Sequence, residues 1–113
     1  MSATEFTARA RRRERVVGYW MTLDSPGLAE RLAGAGYDYV VLDAQHGELD
    51  GRAQASALIA IDAAAGASGL VRVEANHATP IGRALDSGAA SIAISADACA
   101  RPSSSPCWAS STT

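Results

Sequence analysis

Apolar runs alternate with polar, glycine-punctuated gaps along this chain, at the spacing of strand–helix units. Residues 16–23 (VVGYWMTL) are rich in β-branched and aromatic side chains and predict a strand. Asp24, Ser25 and Pro26 follow as a helix start, a capping side chain and then proline in the first turn. Leu28, Ala29 and Leu32 recur at helical spacing, and Gly34 and Gly36 end that helix. Residues 37–42 are nearly all apolar, the pattern of a strand buried on both faces. After a polar loop (DAQHGELD), the alanine-rich stretch 52–65 predicts a second helix, with Gly66 and Gly69 bracketing the return. Residues 70–73 predict a third strand, and Asn76 to Thr79 a loop. Thr79 and Pro80 repeat the cap-then-proline start, Ile81, Ala84 and Leu85 supply a helix face, Gly88 closes it, and residues 91–94 predict a short fourth strand.

The order β-α-β-α-β-α-β with short connections predicts an α/β fold on a parallel sheet. Two architectures satisfy it: an open doubly wound sheet of flavodoxin type, or part of a (β/α)8 barrel. Residues 1–15 read as a basic leading segment, 16–98 as the α/β region, and 99–113 as a low-complexity tail expected to be disordered.

Composition narrows the function classes. With 113 residues, 48% of them hydrophobic, the chain can bury a core. A net charge of −2 gives no general attraction to nucleic acid or anionic membrane. Arg9, Arg11, Arg12, Arg13 and Arg15 crowd the amino terminus, where Glu5 and Glu14 partly compensate; this reads as the solvated face of a leading helix, with no nucleic-acid partner. There is no apolar run of membrane-spanning length and no signal-peptide pattern, so a cytoplasmic location without membrane contact is expected. Cys99 and Cys107 have no partners for a zinc site. All ten basic residues are arginine, so no lysine of this chain can form a Schiff base.

The candidate chemistry lies where the strands end, since ligands of parallel α/β folds bind at the carboxyl edge. Asp43, Gln45, His46 and Gly47 follow the second strand. His46 can exchange a proton near neutral pH, and Asp43 could orient it or hold it charged. Arg72, at the end of the third strand, could grip a carboxylate or an oxyanion with two parallel hydrogen bonds. Trp20 could wall a pocket on that edge or fill the core. Glu48, Asp50 and Glu74 are metal-ligand types at spacings that form no recognised site, and His77 reads as a surface residue. Gly34-Ala35-Gly36 follows a helix instead of opening one, so it is a helix end and not a dinucleotide fingerprint.

Five segments in order carry a resemblance: Gly18-Tyr19-Trp20, the run from Ala33 to Asp38 (AGAGYD), the run from Asp43 to Gly47 (DAQHG), Val71-Arg72-Val73, and the run from Ile81 to Ala89 (IGRALDSGA). Together they resemble the HpcH/HpaI aldolase/citrate lyase family over residues 16–94. The resemblance implies the first half, about four βα units, of a TIM (β/α)8 barrel. It also implies a metal-dependent, oligomeric class II aldolase that reversibly cleaves a 2-oxo-3-deoxy or 4-hydroxy-2-oxo acid to pyruvate and an aldehyde. A divalent cation (Mg²⁺, Mn²⁺ or Co²⁺) then takes the place of the Schiff-base lysine. On this resemblance His46 is the acid/base, Asp43 its partner, and Arg72 the group that stabilises the enolate and holds the oxo acid; Trp20 and Gln45 are further substrate-binding positions. The family's metal-binding glutamate and aspartate come from later strands and are expected beyond Thr113. The pattern departs after Ile94, where Ser95, Ala96 and Asp97 replace a Pro-Met-Val-type segment, and residues 95–101 only faintly resemble the next helix. A small deletion and frameshift in a GC-rich gene would produce such a change. The isolated chain is therefore expected to be inactive, to bind no metal, and to self-associate or aggregate through exposed strand faces. A non-catalytic half-barrel association module and a flavodoxin-like binding domain are the alternatives.

Overall fold

The computed structural model describes residues 1–95. The tail expected at 99–113, with Cys99 and Cys107, and all but the first residue of the faint resemblance to a next helix at 95–101 lie outside the described residues. The elements in chain order are α1 (Ala3–Arg11), β1 (Gly18–Met21), α2 (Pro26–Ala33), β2 (Tyr39–Asp43), α3 (Gly51–Ala64), β3 (Ser68–Arg72), α4 (Ala78–Asp86) and β4 (Ser91–Ala93). Among the described residues no helix is long and apolar enough to cross a membrane.

The four strands form one parallel sheet in the order β1-β2-β3-β4. This order decides between the two architectures. A doubly wound sheet reverses direction at a switch point, whereas here each strand lies beside its sequence neighbour, as in consecutive units of a (β/α)8 barrel. The flavodoxin-like alternative is thereby set aside. Right-handed crossovers that never reverse keep the helices on one face of the sheet.

Strand alternation sorts the side chains. Met21, Val40, Leu42, Val71 and Val73 join Ala29, Ala33, Ala53, Ala57, Leu58 and Ile61 in one buried cluster between sheet and helices. Alanine supplies much of the helix side, which lets the backbones come close. The next positions along each strand, Trp20, Val41, Asp43, Leu70 and Arg72, share the opposite face by the strand register.

The element ends show how local chemistry shifted the boundaries. β1 is shorter than the apolar run, because Thr22 gives its carbonyl to the Glu48 N–H (2.8 Å) and Val17 is held by the Asp38 carboxylate (2.8 Å). Ser25 is the cap of α2, its hydroxyl accepting from Leu28 N at 3.2 Å. Gly34 is the C-cap of that helix, as the sequence indicated. α3 closes on a left-handed Ala65 (φ 55°) and not on Gly66. Gly66 is required for a different reason, since a Cβ there would lie 2.2 Å from the Ala33 carbonyl oxygen. α4 starts earlier than Thr79-Pro80 suggests, with His77 at the N-cap and no side-chain capping bond. Pro80 sits within the first turn, where a missing N–H is harmless.

The basic leading segment packs onto the amino-terminal edge of the sheet. Phe6 is buried edge-on to the Tyr39 ring (centroids 5.6 Å apart). Ser68 Oγ donates to the Met1 carbonyl at 2.9 Å. Arg9 pairs with Asp38 (2.7 Å) and Glu14 (3.0 Å), so this arginine serves the fold.

Candidate active site

β2 carries Asp43 at its carboxyl end, directly paired in register with Arg72 at the end of β3. The two side chains therefore share a face and meet. Arg72 Nε donates to Asp43 Oδ1 at 3.0 Å and Arg72 Nη2 donates to Asp43 Oδ2. Trp20, from the same face of β1, donates its indole N–H to Asp43 Oδ2 at 3.0 Å. Its ring also lies under the guanidinium, 5.0 Å from centroid to Cζ, a cation–π contact. Asp43 is 1% exposed and Trp20 48% exposed.

The loop after β2 wraps the same carboxylate. Asp43 Oδ1 accepts from the backbone N–H groups of Gln45 and His46, both at 2.9 Å, the bonding of an Asx turn. Gly47 allows the loop to close. A Cβ there would stand 2.2 Å from the Asp43 carbonyl oxygen and 2.9 Å from that of Thr22. The next residue, Glu48, ties the loop to the end of β1.

This geometry changes one sequence expectation. Asp43 meets His46 through the backbone and not through the imidazole; its side-chain partners are Arg72 and Trp20. The carboxylate points along the sheet face, where it fixes the loop that carries His46. Arg72, expected to offer two parallel hydrogen bonds to a ligand, pairs with Asp43 through its Nε/Nη2 side. Side-on pairing takes one N–H from each of these nitrogens, so the two parallel N–H groups of the Nη1/Nη2 edge remain for a ligand. His46 is exposed, with no side-chain hydrogen bond among the described residues. Gln45 is half-buried, and its Oε1 is a buried acceptor without a partner among the described residues. Trp20 belongs to the site and not to the core between sheet and helices.

Burial alone would push the Asp43 carboxyl up. The bonds from Arg72, His46 N, Trp20 and Gln45 N outweigh it and hold the group well below the usual carboxylate range. A depressed carboxylate contributes stability that is present above its unfolded pKa of about 3.9 and is lost as pH falls through the folded value. Thermal melts from about pH 7 to pH 2 should therefore show a gap between the wild type and Asp43→Asn that narrows below about pH 4. A gap that stays constant down to pH 2 would contradict this account of the carboxylate.

The metal-ligand types are dispersed. Asp50 caps α3 through Ala53 N at 2.8 Å, and Glu48 and Glu74 are exposed. Asp50 and Glu74 line a separate cleft of about 250 Å³ with Gln54 and Arg83. Among the described residues no group of three or more His, Cys, Asp or Glu could hold a metal ion. His77 is exposed, as its polar loop indicated.

Sequence reading missed the indole bond to Asp43 and the tie between Glu48 and Thr22. Both depend on strand register. Alternation puts Trp20 and Asp43 on one face only once Trp20 is known to lie beside Val41.

Comparison with known proteins gives a consistent set of relatives. The family profile described as HpcH/HpaI aldolase/citrate lyase matches residues 16–96. A hydroxypyruvate/pyruvate aldolase from Sagittula stellata is 36% identical over 89 residues, covering 79% of this chain and 35% of the relative. A 4-hydroxy-2-oxovalerate aldolase from Novosphingobium aromaticivorans is 33% identical over 78 residues, covering 69% of this chain and 30% of the relative. Among solved structures, an HpcH/HpaI aldolase/citrate lyase family protein from Burkholderia cenocepacia superposes with a TM-score of 0.73 at 40% identity, covering 78% of this chain and 35% of that one. The chain spans about a third of the length of the curated relatives it matches.

Proposed function

The chain belongs to the HpcH/HpaI aldolase/citrate lyase family, and from that premise we propose that it supplies the oxyanion-binding and proton-transfer side of a pyruvate aldolase site. The reaction is reversible cleavage of a 4-hydroxy-2-oxo or 2-oxo-3-deoxy acid to pyruvate and an aldehyde. The observation that carries this reading is the Arg72 guanidinium, fixed by Asp43 and Trp20 at the carboxyl edge with its Nη1/Nη2 edge left over.

In cleavage, the C4 hydroxyl loses its proton to His46, the C3–C4 bond breaks, and its electron pair passes into the enolate of pyruvate. Nη1 of Arg72 donates to the enolate oxygen as charge develops there. His46, carried on an exposed loop, then returns the proton to C3. Asp43 reacts with nothing; it keeps Arg72 aimed. The divalent cation that the family resemblance implies finds no set of ligands among the described residues, so no step is derived through it. On this reading the isolated chain binds no such metal and does not turn over.

A chimera tests the reading. Residues 16–95 replace the matched third of the Sagittula stellata aldolase. Pyruvate release from a 4-hydroxy-2-oxo acid is expected. His46→Ala should lower it by about 10²–10⁴-fold without loss of fold. A folded chimera that stays silent while the parent enzyme turns over would sink the proposal. So would equal activity after His46→Ala. Turnover by the isolated chain with pyruvate, an aldehyde and Mg²⁺ or Mn²⁺ would refute the inactivity.

A second reading, a self-associating half-barrel module, is favoured by the exposed Val17, Tyr19, Trp20 and Leu23 in and beside β1. Defined dimers with cooperative melting and no turnover in the chimera would put this reading first.

A further inference from the structure

A guanidinium can pair with a carboxylate in two bidentate ways. End-on, it uses Nη1 and Nη2; side-on, it uses Nε and one Nη. The two place similar charge at similar distance, but they leave different N–H edges free: side-on pairing leaves the parallel pair on Nη1 and Nη2. End-on pairing of Arg72 would consume that edge and leave a ligand the Nε–H side, next to the arginine's own stem. The side-on form is the one present.

Trp20 discriminates between them. Its ring face supports the guanidinium at 5.0 Å, and its N–H occupies Asp43 Oδ2 at 3.0 Å. One indole thus engages both charges of a single ion pair. Its 48% exposure argues that the ring is there to hold this pair, since the core between sheet and helices is filled without it. Leucine could fill the volume but would do neither job. Phenylalanine would keep the face and lose the N–H.

We propose that Trp20 is the positioning residue of this site: it selects side-on pairing of Arg72 with Asp43, so that the Nη1/Nη2 edge faces the ligand with two parallel N–H donors. The catalytic consequence rests on the aldolase reading; the pairing mode does not.

The full 113-residue chain, labelled with ¹⁵N, gives the test without turnover. In side-on pairing Arg72 Nε–H is bonded and exchanges slowly with water. Trp20→Leu should speed that exchange by about tenfold or more, and Trp20→Phe by less, since the cation–π contact remains. Unchanged Nε–H protection in Trp20→Leu overturns the proposal. If that variant fails to fold, the wild type decides. Its Arg72 Nε–H must exchange with water more slowly than that of an exposed arginine, and exchange as fast as that overturns the proposal equally. In the chimera, Trp20→Phe should lower kcat about tenfold with KM within about twofold. A chimera silent even with Trp20 intact removes the aldolase reading while the exchange data still decide the pairing mode.

Discussion

Arg72→Met should destabilise the chain by about 3–5 kcal/mol, the cost of leaving a buried charge without its partner. Asp43 is 1% exposed and keeps only neutral donors once the guanidinium is gone: two backbone N–H groups and the indole. These stabilise the carboxylate but do not neutralise it. A companion variant separates attraction from desolvation. In Asp43→Leu/Arg72→Met the pair is replaced by apolar groups, and the desolvation cost disappears along with the attraction. The double variant should be more stable than Arg72→Met, which makes the two substitutions non-additive. Urea unfolding of the wild type, the two single variants and the double variant checks this. A cost under about 1 kcal/mol for Arg72→Met would mean that the pair behaves as a solvated surface bridge.

Gly47→Ala should cost about 1–3 kcal/mol and disable the loop that carries His46. The clash is with backbone at both points, the carbonyl oxygens of Asp43 and Thr22, so no side chain can swing aside. The loop has to lift, and lifting breaks the bond from Glu48 N to Thr22 and pulls His46 N away from Asp43. Displacing an acid/base group by about 1 Å can cost about 10²-fold in rate. The checks are amide exchange at Glu48, which should accelerate, and turnover in the chimera, which should fall by that order. Protection at Glu48 equal to wild type would show that the loop accommodates the methyl group.

Much of this was legible in the sequence, for identifiable reasons. Ser25 followed by Pro26 is a helix start wherever it occurs, because the hydroxyl and the fixed φ act locally. The apolar run of β2 could be placed because burial on both faces leaves no polar alternation to misread. The clustering of Asp43, His46 and Arg72 at one edge followed from parallel strands alone. What escaped was whatever depends on which residues stand side by side. The sequence places Asp43 three residues before His46 and so suggests a dyad; register gives the carboxylate to Arg72 and leaves the imidazole without a hydrogen bond among the described residues. The choice between barrel-type and doubly wound order was likewise hidden, since both share one element pattern. Ala65 in a left-handed conformation beside an available Gly66 shows the same limit: the glycine is claimed by its approach to Ala33, a contact no local rule contains.

The sheet order carries a consequence for how the chain acquires its structure. Every strand pairs with the strand nearest to it in sequence, so each closure spans a single helix and its connections. Contacts of short sequence separation form quickly. A chain emerging from the ribosome could add β2 to β1 and then β3 to β2, with no strand waiting for a distant partner. The exception is α1. The bond from Ser68 to the Met1 carbonyl, just ahead of that helix, joins residues 67 positions apart, so the first helix to be made waits for the third strand before it is fully seated.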